Sequence, residues 1–570
     1  MSENNLENEI QNNKDNNNGV KTDEEVECSL YIKTKHNKEM DIHNFLKQRR
    51  HYFIMTEGGT PIYSRYGDEM ENCGILATFS AIITKFTIFN TDANFAEKLN
   101  YISNDMSTIV FLKKGKIIFI ALSKKKDSIS FLYSQLDFLY YQLLSIITSE
   151  RMPRLEEKPS SCMMALQDTE QLFEQMIDYT SKTMVSLLSA YQVLPIENRN
   201  KLNDICNTYL GEALICCVFS SDATEMIAMH KTNLIDLSQT DIILIQNLLL
   251  HSDSLRNTES WVPICLPGIA PDGFVQLYSN FTTNEHFGIV YITENQDNSY
   301  FLKFCDQSRK MIDEITDKGL INNIVKSLTV RKDDSKEDEN SKTSNNTETI
   351  EDFVKKIFNG HIPNANGNNE AENLQNNQDN KLSQSQVIIS KDDNNITNNT
   401  NKNLMYASTL QETGNVSTGN IFKEFDLSSN LLQQRKFTFT NTVYKARDPK
   451  KDPLMKLKYA IFKHKIYNQF FSVNFAHYNK IKKEEKAIYK IYGKLYDLYN
   501  SQDSTLININ NFFHFEKDNN YSHVLYANDN YILLATFNLF KSSEEVFNIC
   551  KDIFKIVKSY ESNFFINIKQ

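Results

Sequence analysis

Alternating apolar positions over His51–Thr56, the Gly58-Gly59 pair and a short extended run from Pro61 to Arg65 predict a β-hairpin. Pro61 lacks an amide hydrogen, which places the second strand at a sheet edge. Ile75, Ala77, Phe79, Ile82, Ile83 and Phe86 then recur near the helical period and predict a helix with an apolar face for that hairpin. A short strand over Leu99–Ser103 follows, then STIVFLKK and KIIFIALS, two buried strands joined across Lys114-Gly115. Leu132, Leu136, Leu139, Leu143 and Ile146 step by four and three and predict a long helix, with another over Leu166–Leu188.

The same order recurs twice. Ala213–Ser220 and Glu225–His230 form a hairpin over Ser221-Asp222. Ser238 caps a helix through Leu250, strands SWVPICLP, GFVQLYSNF and HFGIVYITE follow, and a helix over Ser299–Ile315 closes the unit. KYAIFKH and QFFSVNF begin the third pass. A helix carrying Ile488, Ile491, Leu495 and Leu498, three strands, and a last helix opening on the capping-box pair Ser542 and Glu545 complete it. The pattern therefore predicts an α/β (α+β) chain of three tandem domains at residues 49–190, 205–320 and 456–570. Each is a five-stranded, mainly antiparallel sheet with helices. Residues 1–48, acidic and Asn-rich, and 331–430, a low-complexity tract of Asn, Ser, Asp, Gln and Lys, are expected to be disordered, with a brief helix at Thr349–His361.

Composition removes several function classes. A net charge of −10 argues against nucleic-acid binding. The nine cysteines are scattered and form no CxxC pair, so the thiols read as reduced and zinc is not expected. No apolar run approaches the roughly 20 residues that span a bilayer, and the N-terminus has no signal-peptide pattern, so a cytoplasmic protein with only peripheral membrane contact is expected. GxxxxGK[ST], GxSxG and HExxH are all missing, so no catalytic residue, metal or cofactor is assigned.

Five strands with one helix after the second and another at the end is the longin arrangement. FIMTEGGTPIYSRYGDE at Phe53–Glu69, FLYYQLLSIIT at Phe138–Thr148, SWVPICLP at Ser260–Pro267 and the hairpin from Glu212 onward resemble the vacuolar fusion family named for monensin sensitivity (Mon). In the third domain KYAIFKHKIYNQFFS is the best local match, and the Asn-rich tract departs from the family. The resemblance implies three longin-like domains in one subunit of the Mon-Ccz heterodimer, a guanine-nucleotide exchange factor for a late-endosomal Rab GTPase. It further implies a Ccz-like longin partner, peripheral recruitment to endosomal or vacuolar (lysosomal) membranes bearing anionic phosphoinositides, and roles in vacuole fusion and autophagy. In such relatives the paired first longin domains are thought to pull switch I aside and open the nucleotide pocket. The alternative is a longin adaptor or tether without exchange activity.

Two groups of residues are candidates for contact. Tyr63, Arg65, Tyr66 and Gly67, on the edge strand and the loop after it, are expected to form an exposed aromatic and arginine cluster at a partner or Rab interface. The competing expectation packs Tyr63 under the first helix and leaves Arg65 as a solvated edge guard. Lys445, Arg447, Lys450, Lys451, Lys456 and Lys458, interleaved with aromatics, are the candidate lipid contacts, against a plain solvated linker face. Lys113, Lys114 and Lys116 lie at the opposite hairpin end from Lys124–Lys126, so the two groups are not one patch. Trp261 is expected in the core, or else on a partner-facing edge.

Overall fold

The computed structural model describes residues 37–89, 99–125, 127–162, 166, 169–328, 385–390, 453–475, 483–502, 511–538 and 542–567. They fall into two compact units. The first comprises residues up to Ser189 with Tyr209–Thr224 and Lys231–Lys310; the second comprises Ala190–Thr208, Glu225–His230 and Met311 onward.

A short helix precedes the first sheet. α1 (Ile42–Lys47) is capped by Asp41, whose carboxylate accepts the Asn44 amide hydrogen at 2.7 Å. This corrects the expectation of disorder through residue 48: one apolar side chain, Phe45, is buried against Phe53, Leu76 and Phe79 and anchors the turn. β1 (Arg50–Thr56) and β2 (Pro61–Ser64) form the hairpin, and α2 (Cys73–Phe89) follows. β3 (Tyr101–Ser103), β4 (Thr108–Lys114) and β5 (Ile117–Ser123) complete a sheet of order β2-β1-β5-β4-β3. The β4–β5 reversal needs Gly115 at φ +59°, where a Cβ would also collide with Glu156. α3 (Ile129–Ile147) buries Leu132, Leu136, Leu139 and Leu143 of the stripe its spacing predicts, while Ile146 is half-buried. The helix expected over Leu166–Leu188 is divided: α4 (Glu170–Lys182) stops before Thr183, whose backbone is extended, and Val185–Leu188 is a separate turn.

β6 (Tyr191–Gln192) and α5 (Arg199–Thr208) lead to β7 (Ile215–Ser220) and β8 (Met226–Lys231). α6 (Gln239–His251) begins with a full capping box, Ser238 and Asp241 each bonding the other's backbone amide. β9 (Ser260–Ile264), β10 (Val275–Asn280) and β11 (Phe287–Thr293) give a second sheet of order β8-β7-β11-β10-β9, followed by α7 (Ser299–Asp317). Pro263 is exposed on β9, the edge strand its missing amide hydrogen requires. Within the first unit, Asn247 of α6 donates to Gln142 of α3 at 2.8 Å and to the Leu172 carbonyl of α4 at 3.0 Å. A buried polar contact of this kind fixes the register of the helices that share it.

The third sheet has seven strands. β12 (Ser385–Ser390), β13 (Leu457–His464), β14 (Gln469–Val473), α8 (Lys483–Gln502), β15 (Asn511–Lys517), β16 (Tyr521–Ala527), β17 (Tyr531–Asn538), α9 (Ser543–Ser559) and α10 (Glu561–Phe564) follow in chain order. The strand order is β12-β15-β16-β17-β13-β14-β6, so its central five, β15-β16-β17-β13-β14, repeat the connectivity of the first sheet. Two strands are added at the edges. β6 runs parallel to β14, pairing Tyr191 with Gln469, and β12 pairs antiparallel with β15, setting Ser385 opposite Glu516. β12 lies inside the tract expected to be disordered, so that expectation is corrected at Ser385–Ser390; the rest of 331–430, including Thr349–His361, lies outside the described residues.

Candidate functional site

β2 is an edge strand, but helix α4 covers it. Tyr63 is only 2% exposed, its ring 5.0 Å from Phe173 and its hydroxyl donating to Glu174 Oε1 at 3.2 Å. Arg65 is 8% exposed and donates to Asp178 Oδ1 at 2.7 Å, with Nε 3.6 Å from Glu174 Oε2. Its guanidinium also lies over the Tyr66 ring, 5.3 Å from the centroid. The exposed cluster expected from the sequence is therefore corrected: these two side chains are committed to α4. The solvated edge guard is corrected as well. Glu170, Glu174 and Asp178 recur every fourth residue on α4 and present one acidic stripe. Lys38 meets the first of them at 3.5 Å while its ammonium donates to the Ser64 carbonyl at 2.7 Å.

The electrostatics hold this lock shut. Burial opposes the Arg65 charge, but Glu174, Tyr66 and Asp178 outweigh burial and raise the guanidinium pKa further above its ordinary value. Burial, then Glu174, pushes the Tyr63 phenol up, so its proton stays on the oxygen. Tyr66 is half-buried, its carbonyl accepting from Ser64 Oγ at 2.6 Å and Asn72 Nδ2 at 3.0 Å. Gly67 turns the chain at φ +72°, with space beside Asn72 and Phe45 that a Cβ would crowd.

His51 lies next to this lock, between Phe45 at 4.4 Å and Tyr66 at 5.8 Å. Burial first, with Lys124 and Arg65 adding repulsion, lowers its pKa to about 4. A base whose folded pKa lies below its unfolded value contributes fully above the unfolded pKa and loses stability as pH falls toward the folded one. The window runs from roughly 6.5 down to about 4. His51→Gln is expected to abolish about 2 kcal/mol of the stability difference between roughly pH 7 and pH 5, measured by denaturant unfolding of both proteins at both pH values. An unchanged pH profile would refute the burial of a neutral imidazole.

The basic candidates also change. Lys445, Arg447, Lys450 and Lys451 lie outside the described residues. Lys456 is exposed, whereas Lys458 is bound to Glu484 at 2.8 Å and sits over the Tyr521 ring at 4.1 Å, which leaves it poorly placed for lipid. Lys463, from the same run, is buried, and burial pushes its ammonium down to about 8. At the β4–β5 turn, Lys113 pairs with Glu57 at 2.6 Å and Lys114 with Asp137 at 3.0 Å. Trp261 is half-buried, its ring 6.0 Å from that of Phe304 and 6.5 Å from that of Phe301. Among the described residues no group of three or more His, Cys, Asp or Glu could hold a metal, and no helix is long and apolar enough to cross a membrane.

The surface that sequence reasoning missed is on α2 and β3. Leu76 and Phe79 point to the core and Ile83 packs against it, but Ile75, Ile82 and Phe86 are exposed, which corrects the single inward face expected for this helix. α2 is apolar on nearly every side, with Lys85 its one charged residue, and that excess was the available signal. β3 is an edge strand of the same sheet, pairing on its outer side with no strand among the described residues, with Tyr101 50% exposed and Ile102 beside it. Exposed apolar side chains and sheet edges are features that contacts between chains commonly bury.

Comparison with known proteins follows the same division of the chain. The family model described as the first longin domain of FUZ, MON1 and HPS1 matches residues 50–175, and that of the second longin domain matches residues 216–311. The chain is 29% identical over 267 residues to a vacuolar fusion protein MON1 homolog of Arabidopsis thaliana, covering 45% of this chain and 42% of the relative. The corresponding protein of Oryza sativa subsp. japonica is 31% identical over 264 residues, 45% of this chain and 44% of the relative. Vacuolar fusion protein MON1 of Yarrowia lipolytica is 25% identical over 288 residues, 49% and 51%. The chain thus spans about half the length of these relatives, or slightly less.

Proposed function

We propose that this chain, which belongs to the MON1 family of longin-domain proteins, acts in vacuolar fusion and trafficking as one subunit of a two-chain guanine-nucleotide exchange factor for a late-endosomal Rab GTPase. The observation that carries the reading is that the first longin domain exposes an apolar row on α2 and ends its sheet in β3, whose outer side pairs with no strand among the described residues. A second longin chain offers the matching strand and helix, so the partner is a Ccz-like subunit. The pair works peripherally at endosomal or vacuolar membranes, in maturation, fusion and autophagy.

Exchange requires no acid, base or nucleophile in this chain. A factor that binds the nucleotide-free GTPase better than the loaded one shifts that equilibrium by the difference in its affinities. The chain is then regulatory and not itself a site of covalent chemistry. The test is release of a fluorescent guanine nucleotide from a panel of Rab proteins, using this chain co-expressed with its co-purifying partner. Acceleration of an endosomal Rab by more than roughly tenfold, about 1.4 kcal/mol of barrier, is expected, and Ile82→Asp with Phe86→Asp should separate the chains and abolish it. A well-folded complex that accelerates no Rab would instead favour an adaptor or tether.

A further inference from the structure

The three sheets end differently on corresponding sides. By strand order, β3, β9 and β15 hold the same position in the first, second and third sheets. β3 is only three residues long, and β9 carries Pro263, which has no amide hydrogen for a further strand. β15 has neither safeguard: it runs for seven residues without proline. Both of its faces are already closed, since Phe512 lies 5.4 Å from Tyr499 of α8 and the next residue, Phe513, lies 4.9 Å from Phe547 of α9. What remains for recognition is the main chain along its outer side. That side holds β12, in a backbone register running from Ser385 opposite Glu516 to Ser390 opposite Asn511. The segment contains Val387, Ile388 and Ile389, the one place in residues 331–430 with three consecutive β-branched residues, which explains why this part of the tract takes up a strand. Among the described residues β12 pairs with no strand but β15, and the nearest described residues along the chain, Leu328 and Pro453, are far from it in sequence. A strand held at one edge by one ladder has the arrangement of an added peptide.

We propose that the outer edge of β15 is a strand-addition site for an extended segment rich in β-branched residues, and that Ser385–Ser390 is its resident occupant, a removable guard supplied by the chain itself. The guard pairs the main chain of β15 and denies that ladder to other strands. Because it belongs to the same chain, it competes for the edge without dilution, and any segment that enters has to displace it. The contact is therefore autoinhibitory: the third sheet carries a binding edge that is shut until its own strand leaves.

The experiment uses the full chain and a synthetic peptide of residues Gln384–Lys391. Two variants each place a cysteine pair across the ladder, Ser385→Cys with Glu516→Cys and Ser390→Cys with Asn511→Cys. Opposite positions in an antiparallel ladder alternate between wide and close pairs, and these two are an odd number of residues apart, so one of them is close. Mild oxidation should link that pair within one chain, as read by mass spectrometry of its digest, and excess peptide should lower the yield at least tenfold. In a third variant, Ile388→Pro with Ile389→Pro, one of the two prolines removes a hydrogen bond to β15, because neighbouring amides of a strand point to opposite sides. This variant should bind the labelled peptide at least tenfold more tightly than the unsubstituted chain does, with the exchange protection of β16 and β17 retained. No link from either cysteine pair would overturn the resident strand, and a link between two chains would replace the guard with an exchange of strands between copies. Full link yield in excess peptide, or peptide binding no tighter in a folded proline variant, would overturn the strand-addition site.

Discussion

Arg199→Ala is expected to destabilise the second unit by about 3–5 kcal/mol. Arg199 on α5 is wholly buried, and its guanidinium donates to the carbonyls of Leu194 and Ile227 and, at 3.2 Å, to that of Asn563. Burial pushes its pKa down to about 9, with Tyr191 partly opposing the shift, so the group remains charged at neutral pH while bonded to backbone oxygens. Truncation removes the guanidinium's hydrogen bonds to the buried carbonyls of Leu194 and Ile227 and leaves a cavity behind them, while the Asn563 carbonyl keeps the Ile196 amide at 2.9 Å. Arg199→Lys should recover part of the loss, because one ammonium cannot reproduce a planar fork aimed at three oxygens. A chain of several units need not unfold in one step, so the measurement is hydrogen exchange at the β6–β14 pair, Tyr191–Gln192 with Gln469–Phe470. Protection equal to that of the unsubstituted protein in Arg199→Ala would show that the carbonyls find other partners.

The second large effect belongs to Arg65. Arg65→Ala removes the cation that faces Glu174 and Asp178 at a buried strand and is expected to cost about 3 kcal/mol in the first unit. The double replacement Arg65→Met with Glu174→Leu should cost less than the sum of its single changes, since it removes both charges of the more deeply buried pair. Exchange protection of α4 amides, with the unfolding midpoint of each variant, provides the readout. An interface residue would behave differently: the free chain would keep its stability and only complex formation would weaken.

These two arginines mark where reading the chain succeeded and where it stopped. Hairpin, helix, three strands and helix were legible in each copy because two-residue and near-four-residue periods report directly which positions face a core. Ser238 and Ser542 were legible for the same local reason, and each accepts the backbone amide three residues on. The cover over β2 was not legible, since Glu174 lies 111 residues beyond Tyr63 and no local period states which helix closes an edge. The acidic stripe Glu170, Glu174, Asp178 was the clue, opposite in sign to Lys38 and Arg65. α2 failed for another reason. A helix apolar all round carries no phase, so Ile82 and Phe86 could be assigned outward only once Leu76 and Phe79 were seen inside. Arg199 gave no signal, because its partners are main-chain oxygens, which every residue supplies.

The segment at Ala190–Thr208 has a consequence for how the chain is made. It contributes β6 and Arg199 to a unit whose other parts lie far downstream, Gln469 pairing with Tyr191 and Asn563 with Arg199 across 364 residues. At ribosomal rates of roughly 5–20 residues per second, the segment emerges on the order of 20–70 s before its last partner does. For that interval Tyr191, Val193 and Leu194, buried in the finished unit, have no completed core to enter. Chaperone demand during synthesis should therefore centre on this short stretch, ahead of any of the three sheets.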